Sequence, residues 1–219
     1  MKRIATERTA TERSMAVIAL SIAGSDPSGG AGIQADLKTF AAHGVYGASV
    51  ITALTAQNTT GVFGIHAVPP DFIRAQADAV LSDLDVGCIK VGMLGDAATI
   101  DVVAAILEAH PAIPCVLDPV MVTASGDSLL APDAVAVLRS RLLPLARLIT
   151  PNLHEAALLL GESPAASVEA MERQARALRE HGARAVLLKG GRRQDVSSAA
   201  DVLCTAVGIE TFDSPRVAI

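Results

Sequence analysis

A chain of 219 residues, 51% of them apolar and 17 of them glycine, can bury a sizeable core and is expected to form one domain. Aromatic residues make up only 2%, so that core must be built from Ala, Val, Leu and Ile, the residues of buried strands and closely packed helices, which favours an α/β fold. A formal net charge of −5 with scattered arginines excludes a basic nucleic-acid surface, and no apolar run approaches the roughly 18 residues of a membrane-spanning helix.

Residues 1–14 hold a small polar repeat, Ala5-Thr6-Glu7-Arg8 and Ala10-Thr11-Glu12-Arg13, with no hydrophobic face, and read as a disordered leader. The ordered domain is expected over 15–219. Its first strand is the continuous apolar run 17–23, followed by the glycine-rich run Gly24-Ser25-Asp26-Pro27-Ser28-Gly29-Gly30-Ala31-Gly32. Ile33, Leu37 and Phe40 then repeat at helical spacing, so the glycines form a strand-to-helix turn whose backbone amides are expected to face a ligand. That helix should run over 32–43 and stop at Gly44. A strand over 48–54, a polar turn over 57–61, a short strand over 62–68 and a helix over 70–83 opened by Pro70 and Asp71 follow.

Further along, strands are expected at 88–91, 115–117, 148–150 and 185–188, and helices at 97–109, 132–142, 153–160 and 167–181. A terminal hairpin is expected from 202–205 and 209–212 around Val207-Gly208. Strands alternating with helices are the pattern of βαβ units on a mostly parallel sheet. His43, His110 and His181 fall at expected helix ends and carry no catalytic role, and Cys88, Cys115 and Cys204 lack metal-ligand spacing and read as free thiols of a reducing, cytoplasmic compartment.

Polar residues recur just after the strands: Asp26, Gln57 and Asn58, Met93, Asp118, Asn152 and Lys189. In open α/β sheets ligands bind outside the carboxyl ends of the strands, so these residues are expected on one rim. Asp118, at a strand end before Pro119, can hold a magnesium ion or its waters, or simply make a turn. Asn152 and Glu155 share a face at a helix start, where they suit phosphate and metal binding or helix capping. Lys189-Gly190-Gly191 sets a cation beside two glycines that let a phosphate approach backbone amides. The Gln57 carboxamide both donates and accepts, which suits a heteroaromatic ring. Neither a Walker phosphate loop nor a dinucleotide Gly-x-Gly-x-x-Gly is present.

Taken together, the runs 23–36 and 46–58, Gly92-Met93-Leu94, Asp118-Pro119-Val120-Met121, Thr150-Pro151-Asn152 with Glu155, and Lys189-Gly190-Gly191 resemble the hydroxymethylpyrimidine and phosphomethylpyrimidine kinases of thiamine biosynthesis. The resemblance implies a ribokinase-like three-layer αβα sandwich with a mostly parallel central sheet, and ATP with Mg2+ as the phosphoryl source. It implies phosphorylation of 4-amino-5-hydroxymethyl-2-methylpyrimidine and then of its monophosphate. Gly24, Asp36, Gln57, Met93 and Val120 would surround the pyrimidine. Lys189 and Asp118 would support transfer, with Asn152, Glu155 and Lys189 toward the nucleotide and Asp118 and Glu155 toward the metal. A homodimer is also implied. The family's His-Gly-Thr-Gly run, whose amides form an anion hole, and the Cys or Asp base after it would follow Pro215-Arg216; this sequence holds neither and reads as truncated there. A pyridoxal kinase of the same superfamily and a non-catalytic pyrimidine-binding protein are the alternatives.

Overall fold

The computed structural model describes residues 17–121, 130, 131, 133–191 and 198–215. The expected leader, Pro132 at the start of one expected helix, and Arg216 lie outside the described residues. The first half of the chain runs β1 (Ile18–Ala23), α1 (Gly32–Ala42), β2 (Tyr46–Ile51), β3 (Ala53–Asn58), β4 (Gly61–Ala67), α2 (Pro70–Leu81), β5 (Cys88–Val91) and α3 (Ala97–Ala109). The second half runs β6 (Cys115–Leu117), α4 (Ala134–Val137), β7 (Leu148–Ile149), α5 (Leu153–Leu160), α6 (Val168–Glu180), β8 (Val186–Lys189), β9 (Ser198–Cys204) and β10 (Ile209–Pro215).

Eight strands make one sheet in the order β10-β9-β8-β7-β6-β5-β1-β2. Every pairing from β2 to β8 is parallel, and the hairpin β9-β10 closes the far edge antiparallel, as the pattern of strand-length runs predicts. Strand alternation gives the sheet two different faces. On one, Leu20, Ile22, Val50, Ile89, Val91, Leu117, Ile149, Val186, Leu188 and Val202 are buried in a single core with the apolar faces of α2, α3, α5 and α6. On the other, α1 packs over β1 and β2, where Gly47 is flush against Leu37 and Phe40. The register carries that second face onward through Lys90, Val116, Leu148, Leu187 and Leu203, all half-buried. The expected mostly parallel, helix-covered sheet is therefore formed.

Three expected boundaries shift for physical reasons. The strand expected over 48–54 breaks at Thr52: its amide still makes the ladder bond to the Ala23 carbonyl (3.0 Å), but its hydroxyl donates to Met93 O (2.7 Å) and the chain then leaves the sheet. It continues as a separate antiparallel hairpin, β3 with β4, so Gln57 and Asn58 belong to a strand and not to the polar turn expected there. The helix expected over 132–142 is α-helical only over Ala134–Val137, then widens into a π turn at Leu138–Leu142 and tightens to a 3-10 turn at Leu143–Leu145. Pro144 lacks the amide that an α-helix would need there. The three histidines expected at helix ends, His43, His110 and His181, are C-cap residues.

Candidate active site

Parallel pairing brings the polar strand ends to one rim. The Asp118 amide donates to Val91 O (2.9 Å) and the Gly92 amide to Ile22 O (2.9 Å), which continues the ladder one residue beyond β5 and β6. The Lys189 amide donates to Pro151 O (2.9 Å), and Asn152 bridges Lys189 in parallel, so those two residues are neighbours through backbone. Against this rim stands the β3-β4 hairpin. Along β3, Ala53, Thr55 and Gln57 are buried or half-buried while Leu54, Ala56 and Asn58 are exposed, so the period-2 alternation turns Gln57 inward.

Between rim, hairpin and glycine-rich turn lies a cavity of about 370 Å³, a size suited to a small heterocycle. Gly24, Asp36, Gln57, Met93, Val120 and Asp118 all line it. The Thr55 hydroxyl donates to Ser25 O (2.8 Å) and lies 3.2 Å from Gln57 Oε1, which ties the hairpin to the turn and orients the carboxamide. A Cβ on Gly24 would sit 2.6 Å from Met93 Cε, so glycine leaves that wall to the Met93 side chain. Asn58 does not face the cavity; its Oδ1 accepts from the Thr60 amide (2.8 Å) and hydroxyl (2.7 Å) and shapes the hairpin tip.

The glycine-rich turn is built differently from the expectation that its amides face a ligand. The Asp26 carboxylate, 2% exposed, accepts from the amides of Ser28 (2.9 Å), Gly30 (3.0 Å) and Ala31 (2.8 Å) and from the Ser28 hydroxyl (2.7 Å). Those donors are spent on the protein's own anion. Burial pushes the Asp26 carboxyl up, but hydrogen bonds from the Ser28 side chain and from the three amides outweigh it and hold it below the usual 3.8. Gly32, at φ 56°, is required where the turn re-enters α1: a Cβ there would meet Gly24 O at 2.5 Å.

Beside the cavity wall formed by Asp118, Lys189 Nζ pairs with Asp118 Oδ1 at 2.9 Å, and the Thr150 hydroxyl donates to the same oxygen at 3.0 Å. The lysine side chain is 40% exposed, so the pair is open to solvent. Asp118 Oδ2 accepts no hydrogen bond among the described residues. Asn152 and Glu155 form a capping box on α5. Asn152 Oδ1 accepts from the amides of His154 (2.9 Å) and Glu155 (3.0 Å), and the Glu155 carboxylate accepts from the Asn152 amide (2.8 Å). Glu155 is 3% exposed. Burial pushes its carboxyl up, opposed by the Asn152 amide, raised again by the Asp118 charge, and lowered by Lys189 and the Met121 amide.

Gly190 also differs from expectation. Its amide donates to Asp201 Oδ1 (2.9 Å), and a Cβ on it would overlap Ala200 O, so this glycine serves strand packing and not the approach of a phosphate. Sequence reasoning missed Lys90 and Ser21, which hold Asp36. A lone lysine inside an apolar strand needs a counter-ion, and that was the signal available. Among the described residues no group of three or more His, Cys, Asp or Glu is placed to hold a metal ion, and no helix is long and apolar enough to cross a membrane. Cys88, Cys115 and Cys204 are free thiols.

Proteins of similar sequence point to one family, and similar structures include pyridoxal kinases beside it. The sequence pattern of the phosphomethylpyrimidine kinases matches residues 26–219. The hydroxymethylpyrimidine/phosphomethylpyrimidine kinase of Salmonella typhimurium is 53% identical over 199 residues, covering 91% of this chain and 74% of that protein. The crystal structure of phosphomethylpyrimidine kinase from Clostridium difficile superposes with a TM-score of 0.84 at 41% identity, over 90% of this chain and 84% of the other. The ADP complex of Bacillus subtilis pyridoxal kinase superposes at 0.85 with 36% identity, over 93% and 77%. The chain belongs to the phosphomethylpyrimidine kinase family.

Proposed function

We propose that this protein transfers a phosphoryl group from ATP to the hydroxymethyl group of 4-amino-5-hydroxymethyl-2-methylpyrimidine, and then to the resulting monophosphate. The observation that carries this reading is one cavity lined by Gly24, Asp36, Gln57, Met93 and Val120 together with Asp118, the partner of Lys189. Gln57 reads the polar edge of the ring, Asp36 accepts a hydrogen bond, and Met93 and Val120 supply the apolar walls. Lys189 and the amide group of Asn152 take the nucleotide phosphates. Catalysis here is positioning and charge neutralisation.

The donor set fits a magnesium ion that arrives on phosphates, because Mg2+ keeps most of its water and needs only one or two carboxylates. Asp118 Oδ2 is available for it. Glu155, buried behind Asn152, contributes negative charge and position and stays out of direct contact. When bound, the ion neutralises phosphate charge as it moves to the acceptor.

An ATP-dependent phosphorylation assay on hydroxymethylpyrimidine, with pyridoxal as competitor, tests the reading. It is run on the 219-residue chain and on the chain joined to a His-Gly-Thr-Gly segment with its base. Gln57→Ala is expected to raise KM for the pyrimidine about tenfold, the equivalent of one or two lost hydrogen bonds, with KM for ATP unchanged. Lys189→Ala is expected to lower kcat about 10²-fold or more and to weaken ATP. Equal losses of both substrates in Gln57→Ala would make that residue structural. Pyridoxal kinase is the second reading, favoured by the Bacillus subtilis structure; preferential phosphorylation of pyridoxal would establish it. We further propose a homodimer, supported by Leu54, Phe63 and Ile65 on the hairpin, 47%, 72% and 50% exposed, and testable by sedimentation.

A further inference from the structure

Strand β5 carries one charged residue, Lys90, between the buried Ile89 and Val91. It lies on the sheet face covered by α1, level with Ser21 of β1. Both side chains reach the same atom of α1: Lys90 Nζ is 2.9 Å from Asp36 Oδ2, and the Ser21 hydroxyl donates to that oxygen at 2.6 Å. Ser21 is fully buried, and the lysine and aspartate side chains are only 24% and 17% exposed. Gly92 keeps the space open, since a Cβ there would sit 2.9 Å from Lys90 Nζ. Asp36 and Lys90 both line the cavity.

Two donors on Oδ2 leave Asp36 Oδ1 with no hydrogen-bond donor among the described residues. A half-buried carboxylate held in this way is an anion of fixed orientation that can only accept. We infer that Lys90 and Ser21 are positioning residues that lock Asp36 as an acceptor toward the cavity, and so select a ring bearing an exocyclic amino donor over one bearing an acceptor there. The inference rests on the cavity being the pyrimidine site. Lys90 acts through Asp36, so its loss should matter only for ligands that Asp36 reads.

Titration calorimetry separates these statements, using hydroxymethylpyrimidine and its analogue without the exocyclic amino group. The proteins are wild type, Asp36→Asn, Lys90→Met, Lys90→Arg and the Asp36→Asn/Lys90→Met double variant. Lys90→Met is expected to weaken the aminopyrimidine about tenfold and the analogue less than about twofold, with Lys90→Arg recovering most of the loss. The double variant is expected to bind no worse than Asp36→Asn alone, because two residues acting as one unit are not additive. If Lys90→Met fails to fold, Ser21→Ala replaces it, with an expected loss of about threefold confined to the aminopyrimidine. Additive losses in the double variant, or equal losses for the two ligands, would overturn the inference. Wild type that binds neither ligand would instead defeat the reading of the cavity itself.

Discussion

At the scale of single residues, charge is what the site spends most carefully. Asp26, Asp36 and Asp118 each face several donors, and in each case the donors come from elements far apart in sequence or from a turn that must be held closed. Asp26 is the clearest case for a measurement. Its carboxyl is held below its usual 3.8, so its contribution to stability is present above that value and is lost as pH falls through the lowered one. Asp26→Asn removes the charge and leaves amides facing an amide, which should cost about 2–4 kcal/mol at neutral pH by urea unfolding. The variant should also lack the part of the acid-induced loss below pH 3.8 that wild type shows; an unchanged acid profile would mean that Asp26 does not latch the turn.

At the scale of elements, glycines and caps decide how the strand ends meet. Gly190→Ala would drive a Cβ into Ala200 O and should destabilise the β8-β9 edge by about 1–3 kcal/mol, whereas Gly191→Ala, whose Cβ would meet no atom of the described residues within 4 Å, should cost less in a thermal melt. Equal effects would show that the edge is loose. The same elements show what could be read from the sequence alone. The strands Cys88–Val91 and Cys115–Leu117 and the helices Ala97–Ala109 and Leu153–Leu160 fall where apolar periodicity puts them, because local pattern and burial agree there. The break at Thr52 and the π turn at Leu138–Leu142 do not follow from local pattern, since tertiary hydrogen bonds and Pro144 set them. Gln57 and Lys189 were legible as candidates from residue type at strand ends, and Asp36 only through the family resemblance. Their pairing with Lys90, Ser21 and Thr150 was not, because side-chain pairing across strands leaves no periodic trace and a lone lysine in an apolar strand does not name its counter-ion.

At the scale of the whole molecule, the sheet gathers six parallel strand ends onto one rim, and the hairpin β3-β4 closes the space above it into the cavity. The helices bury one sheet face deeply, and there Cys115 lies 2% exposed with its thiol pushed up to about 12, mainly by burial. It should resist alkylation at neutral pH in the folded protein and react on unfolding; labelling at the native rate of a free thiol would mean that this face is open. The central claim is that the cavity lined by Gln57 and Asp36 is a pyrimidine site, and direct titration of the protein with hydroxymethylpyrimidine and with pyridoxal tests it without requiring turnover. Saturable binding of hydroxymethylpyrimidine, tighter than pyridoxal and weakened about tenfold in Gln57→Ala, is the predicted result. Binding that is absent, that favours pyridoxal, or that is indifferent to Gln57→Ala would contradict it.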